Sequence, residues 1–150
     1  SQWQAMDHEV LPYHWDDRAR LERDYHYLTG VLERTLVALS ERLNAIHGTD
    51  HPLRYWRIVI GPWLFFFIES LFDRYLSIRA AIAAGADRTW CLQSAPDTWL
   101  PQDFQHFITL WTSDGWSHQI YSELIDVLGT VRCEVIGRSR RHSRALRGDE

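Results

Sequence analysis

Apolar positions in the first third of the chain recur at steps of three and four: Leu21, Tyr25, Leu28, Leu32, Leu36, Leu39, Leu43 and Ile46. That spacing traces one face of a helix nearly thirty residues long, with Arg18, Arg20, Glu22, Arg23, Glu33, Arg34, Glu41 and Arg42 on its wetted side. Asp16 or Asp17 supplies a carboxylate for the free amides of the first turn, and Gly48 supplies the stop. The segment HGTDHP, 47–52, reads as a turn, and a short helix is expected from Leu53 to Ile60.

The pattern then changes. From Ile58 to Ile68 there are eleven residues without a charge, bracketed by Arg54 and Arg57 before and by Glu69, Asp73 and Arg74 after. A bilayer-spanning helix needs about 20 apolar residues, so this run is too short to cross a membrane. A helix apolar on every face at this length predicts the buried central helix of a soluble domain. Gly61-Pro62 inside it marks a kink or break, and Pro62 suits the first position of a new helix over 62–83, closed by Gly85. Beyond it, RTWCL at 88–92 reads as a strand and SAPDTWLPQD as a loop. Phe104, Phe107, Ile108 and Trp111 predict a short amphipathic helix, and SDG at 113–115 breaks it. Trp116, Ile120, Leu124, Ile125 and Leu128 predict another, ended by Gly129. Val131, Cys133 and Val135 alternate as a strand does.

The expected fold is therefore mainly α: four to six helices around a buried central helix, with one or two short strands. At 150 residues the chain is the size of one domain. The expected division is a helical domain over 1–137 and a disordered Arg-rich tail over 138–150, where apolar content almost vanishes.

Composition changes this picture in three places. All 16 basic residues are Arg, which favours planar, bidentate contacts with carboxylates or phosphates. A net charge of −4 argues against a nucleic-acid binder. Cys91 and Cys133 fit free thiols in a reducing compartment, and the N-terminus lacks the order of a secretory signal, so a cytoplasmic location is expected.

No glycine-rich phosphate loop, HExxH or GxSxG is present, and no cofactor signature is found. His47 and His51 are four apart with Gly48 between them, and no convergent metal-ligand set accompanies them. Arg54 and Arg57 share a helix face at a spacing of three, where they suit a phosphate or carboxylate, or else an internal ion pair. Asp73-Arg74 is a carboxylate with an adjacent guanidinium, serving either chemistry or a structural salt bridge. In PYHWDDR, 12–18, rings interleave with acids, as in sugar sites and equally in a helix-capping staple.

The motifs PYHWDDR, DYHYL, LNAIHG, RYWRIVIGPWLFFFIESLFDRY, LPQDFQHF and WSHQIYSEL occur here in that order. Over about residues 12 to 128 they resemble the N-terminal part of the transferases encoded in bacterial O-antigen and surface-carbohydrate gene clusters, the Leptospira-type family. Ser117 departs from the family's Asn after the Trp. The resemblance implies a transferase of surface polysaccharide assembly that uses a nucleotide-activated sugar or similar donor. Family members are several hundred residues long, with a later part like two-domain α/β glycosyltransferases of the Rossmann-like pair type, so the chain resembles a fragment of such a protein.

By position, Asn44, His47, Arg54, Trp56, Arg57, Asp73 and Arg74 match the recurrent motifs. The expected roles are Asp73 or His47 as base, and Arg54 and Arg57, with Asn44, Trp56 and Arg74, as substrate-binding groups. No nucleic acid, metal or transmembrane segment is implied, and oligomeric state is left open. The competing class is a non-catalytic helical protein-interaction module.

Overall fold

The computed structural model describes residues 8–92, 100–129 and 131–136. Its contacts divide the chain into two compact units, one up to Ala84 and one from Gly85. The expected loop lies largely, and the expected Arg-rich tail entirely, outside the described residues, as do the side chains of Cys91 and Cys133.

The first unit holds three helices: α1 (Arg18–His47), α2 (Leu53–Val59) and α3 (Gly61–Ala83). Asp17 caps α1, its carboxylate accepting from the amides of Ala19 and Arg20. Gly48 ends it in the left-handed conformation, φ 63°, where its N–H reaches the Asn44 carbonyl. The three helices meet in a cluster of one buried residue each, Leu36 from α1, Trp56 from α2 and Leu64 from α3. Leu32, Leu39, Leu43, Ile60, Trp63 and Ile68 pack around them.

The mainly helical fold stands as the periodicity predicts, but burial of the uncharged run is less complete. The run divides into α2 and the start of α3, which meet at 66°. With Trp56 turned into the core, the opposite side of α2 faces outward. Ile58 is 68% exposed and Val59 54%, and Phe65 at the start of α3 is 38% exposed. Among the described residues no single helix is long and apolar enough to cross a membrane; α2 and α3 reach that length only together, across their bend.

The second unit holds β1 (Arg88–Leu92), α4 (Phe104–Trp111), α5 (Asp114–Leu128) and β2 (Arg132–Ile136). The strands pair in parallel, Arg88 opposite Arg132 and Leu92 opposite Ile136. A parallel pair needs a long crossover, and the segment containing α4 and α5 provides it. Ser113 does more than break a helix: its hydroxyl caps α5 by accepting from the Trp116 amide, so Asp114 and Gly115 form the first turn. Phe107, fully buried, meets Trp116 edge to face with ring centroids 5.8 Å apart.

If the three-helix contact carries the first unit, Leu36→Ala is expected to destabilise it by about 2–5 kcal/mol, whereas Ile58→Ala is expected to change stability by only about 0.5 kcal/mol. Urea unfolding followed by far-UV circular dichroism measures both, and equal losses contradict the assignment.

Candidate functional site

The expected site residues fall into two groups. The first surrounds the turn between α1 and α2. Asn44 sits four residues before the Gly48 cap and turns its amide into that turn. Its Oδ1 accepts three hydrogen bonds, from Thr49 Oγ1, the His51 amide and Trp56 Nε1, each at 3.0 Å, and its Nδ2 donates to the His51 carbonyl at 2.9 Å. The indole N–H of a buried Trp needs an acceptor, and this amide provides it while closing the turn. Asn44 and Trp56 are thereby committed to structure. His47 stacks on Trp56 at 6.3 Å, and His51 on Tyr55 at 4.0 Å.

Arg57, one helical turn before the elbow, reaches across to α1. Its two terminal nitrogens bind the two carboxylate oxygens of Glu33, both at 2.6 Å. This fork holds Glu33 below and Arg57 above their ordinary values, chiefly through the hydrogen bonds themselves. The internal ion pair anticipated as one of two readings for Arg57 is the one realised, with an acid of the first helix. Arg54 is exposed and has no polar partner among the described residues.

The second group lies about 18 Å further along α3, twelve residues beyond Gly61 at 1.5 Å each. Here the segment before α1 folds back onto α3. Tyr13 Oη donates to Asp73 Oδ1 at 3.1 Å, and His14 Nε2 stands 3.2 Å from the same oxygen. The His14 contact has ion-pair distance but lies off the axis of a formed hydrogen bond. The rings of Tyr13, His14 and Trp15 pack in sequence, tilted and then edge to face, and Trp15 Nε1 donates to Asp24 of α1 at 3.0 Å. Asp73 keeps a side chain 29% exposed, and its Oδ2 has no hydrogen-bond partner among the described residues. Arg74 is buried, and its Nη1 donates to the Ser70 carbonyl at 3.1 Å.

His47, Arg54, Arg57 and Asp73 therefore do not converge on one cleft. What does converge is Asp73 with Tyr13 and His14, residues roughly sixty positions earlier. Tyr13 and His14 were visible as part of PYHWDDR, but no periodicity connects an irregular segment to one face of a distant helix.

Burial of the His14 ring pulls its pKa below the ordinary 6.5, more strongly than the Asp73 and Asp24 carboxylates push it up, while Arg20 adds to the lowering. What this site defines is a helix-borne carboxylate oriented by an aromatic segment, on a mainly helical chain. The chain belongs to the family described as LIC12162 family transferase, whose match runs over residues 1–145. No curated protein and no solved structure matches it.

The sign of the His14 shift fixes a pH dependence. A folded-state pKa below the unfolded one means that the unfolded chain binds the proton more tightly. Stability is full above 6.5 and is expected to fall as pH drops below it. His14→Gln is expected to flatten that slope. Thermal melts of both proteins between neutral and mildly acid pH decide it; parallel curves contradict the assignment.

Proposed function

We propose that this chain is the helical part of a transferase of bacterial surface-polysaccharide assembly, acting on a nucleotide-activated sugar or similar donor. The family match supports transfer chemistry, and the ordered motifs of the sequence support the carbohydrate setting.

The observation that carries the reading is the presentation of Asp73. One carboxylate oxygen is engaged by Tyr13 and faced by His14, while the other remains available on a partly exposed side chain. A carboxylate so fixed can accept the proton of an acceptor hydroxyl as that oxygen attacks the donor carbon. The bond from that carbon to the donor phosphate breaks, and the nucleotide leaves with the electron pair. Tyr13 and His14 act as positioning residues. Arg57 is already paired with Glu33, and Arg54 lies on α2, outside the group around Asp73, so nucleotide recognition falls to the α/β part that the resemblance assigns to longer family members.

A second reading, the non-catalytic interaction module, is favoured by one feature. The outward side of α2 presents Tyr55, Ile58 and Val59, exposed by 41%, 68% and 54%.

Nucleotide release from UDP-, GDP- and CMP-sugars by this chain joined to the α/β part of a longer family member, measured with and without saccharide acceptors, separates the two. The transferase reading expects release with at least one donor, and a loss of about a hundredfold or more in turnover for Asp73→Asn at unchanged donor affinity. An unaltered rate removes Asp73 from the chemistry. Failure to release nucleotide from any donor favours the module.

A further inference from the structure

Trp56 fixes which side of α2 points away from the core. At about 3.6 residues per turn, the positions two before and two after a core residue fall almost opposite it. Here those positions are Arg54 and Ile58, four apart on one outward ridge. Tyr55 and Val59 flank the ridge, and beyond the 66° elbow Pro62 and Phe65 are exposed as well. No charge interrupts the sequence from Ile58 to Phe65.

The charges beside the ridge are unequal. Arg54 is exposed and makes no hydrogen bond or ion pair among the described residues. No acid stands in α2, and Glu33 of α1, which reaches it, is held by both terminal nitrogens of Arg57. The nearest acid in sequence, Asp50, lies in the turn before the helix. On a chain of net charge −4, the ridge thus sets an unpaired positive charge among aliphatic side chains.

A protein partner of ordinary size buries about 800 Å² on each side. Against that, α2 offers seven residues, about 10 Å of helix. A bilayer sets no such minimum, because one helix face sinks about 5–10 Å into the boundary between headgroups and acyl chains. It also supplies both things the ridge lacks, anionic phosphates and hydrocarbon side by side. The elbow suits this use: α2 and α3 have the apolar length of a span only together, and their bend lets α2 lie along a surface while α3 stays in the core.

We propose that the outward ridge of α2 seats this chain on an anionic lipid surface, with Ile58 and Val59 among the acyl chains and Tyr55 at the boundary. The stem of Arg54 lies along the hydrocarbon while its guanidinium reaches the lipid phosphates. The proposal does not rest on the transferase reading, and its test involves no turnover.

That test is flotation of the whole chain with vesicles of phosphatidylcholine alone and of an equimolar mixture with phosphatidylglycerol. Binding is expected to the mixed vesicles, weakened by salt, with weaker binding to phosphatidylcholine alone. Ile58→Glu is expected to lower binding to the mixed vesicles by about tenfold or more, and Arg54→Gln by about fivefold. Both positions are exposed, so urea unfolding of the two variants is expected to match the wild type. In bicelles of the same mixture carrying a nitroxide lipid, the wild-type amides of 54–59 are expected to broaden, which tests the location without any variant. No flotation with the mixed vesicles, binding left unchanged by either substitution, or broadening confined to other segments overturns the proposal. A dimer in solution that Ile58→Glu disperses also overturns it, assigning the ridge to a second copy of the chain.

Discussion

The first unit depends on how one indole is buried. Trp56 is the single buried residue of a seven-residue helix, and a helix that short does not hold itself together in water. Its ring enters the space between Leu36 and Leu64, and its N–H finds Asn44 at the end of α1. The same Asn44 oxygen accepts from Thr49 and His51, so the turn and the indole are fixed by one atom. Apolar contact supplies the driving force and the amide supplies the register. Without the amide, burying the indole would leave a donor unsatisfied in a dry place.

This economy explains how several candidate binding groups come to hold contacts within the fold. Arg57 follows Trp56 directly, and anchoring Trp56 carries Arg57 to the flank where Glu33 waits on α1. Planar guanidinium and carboxylate then meet through two parallel bonds. Arg74 is likewise bound into its own helix through the Ser70 carbonyl. The Ser70 hydroxyl, also buried, makes no hydrogen bond among the described residues, and nothing in the structure explains why a polar residue stands there.

Much of the fold was legible because local rules decide it. Asp17, Gly48, Pro62 and Gly129 punctuate the helices through backbone geometry that any reading of the chain can use. Periodicity found α1 because its apolar stripe has one side to bury. It overstated the cover on Ile58 and Val59, since an uncharged run says that burial is cheap, not that a neighbour is present. The candidate site was legible in parts only. Asp73 was singled out, yet its partners Tyr13 and His14 belong to an irregular segment whose path is set by edge-to-face ring contact and by the bond from Trp15 to Asp24. Such contacts carry no repeating signal.

That path gives the Asp73 arrangement its character. A carboxylate on the middle of α3 is rigidly placed, but its rotamer is set by whatever touches its oxygens. Here the touching groups come from a segment tied to α1 at two points, the Asp17 cap and the Trp15–Asp24 bond. The orientation of Asp73 is therefore coupled to the start of α1 rather than to α3 alone. Loosening either tie frees the Asp73 side chain without altering the helix that carries it. The orientation of Asp73 and order in residues 13–17 then rise and fall together, because the hydrogen bond from Tyr13 and the buried ring of His14 are available only while the segment lies against both helices.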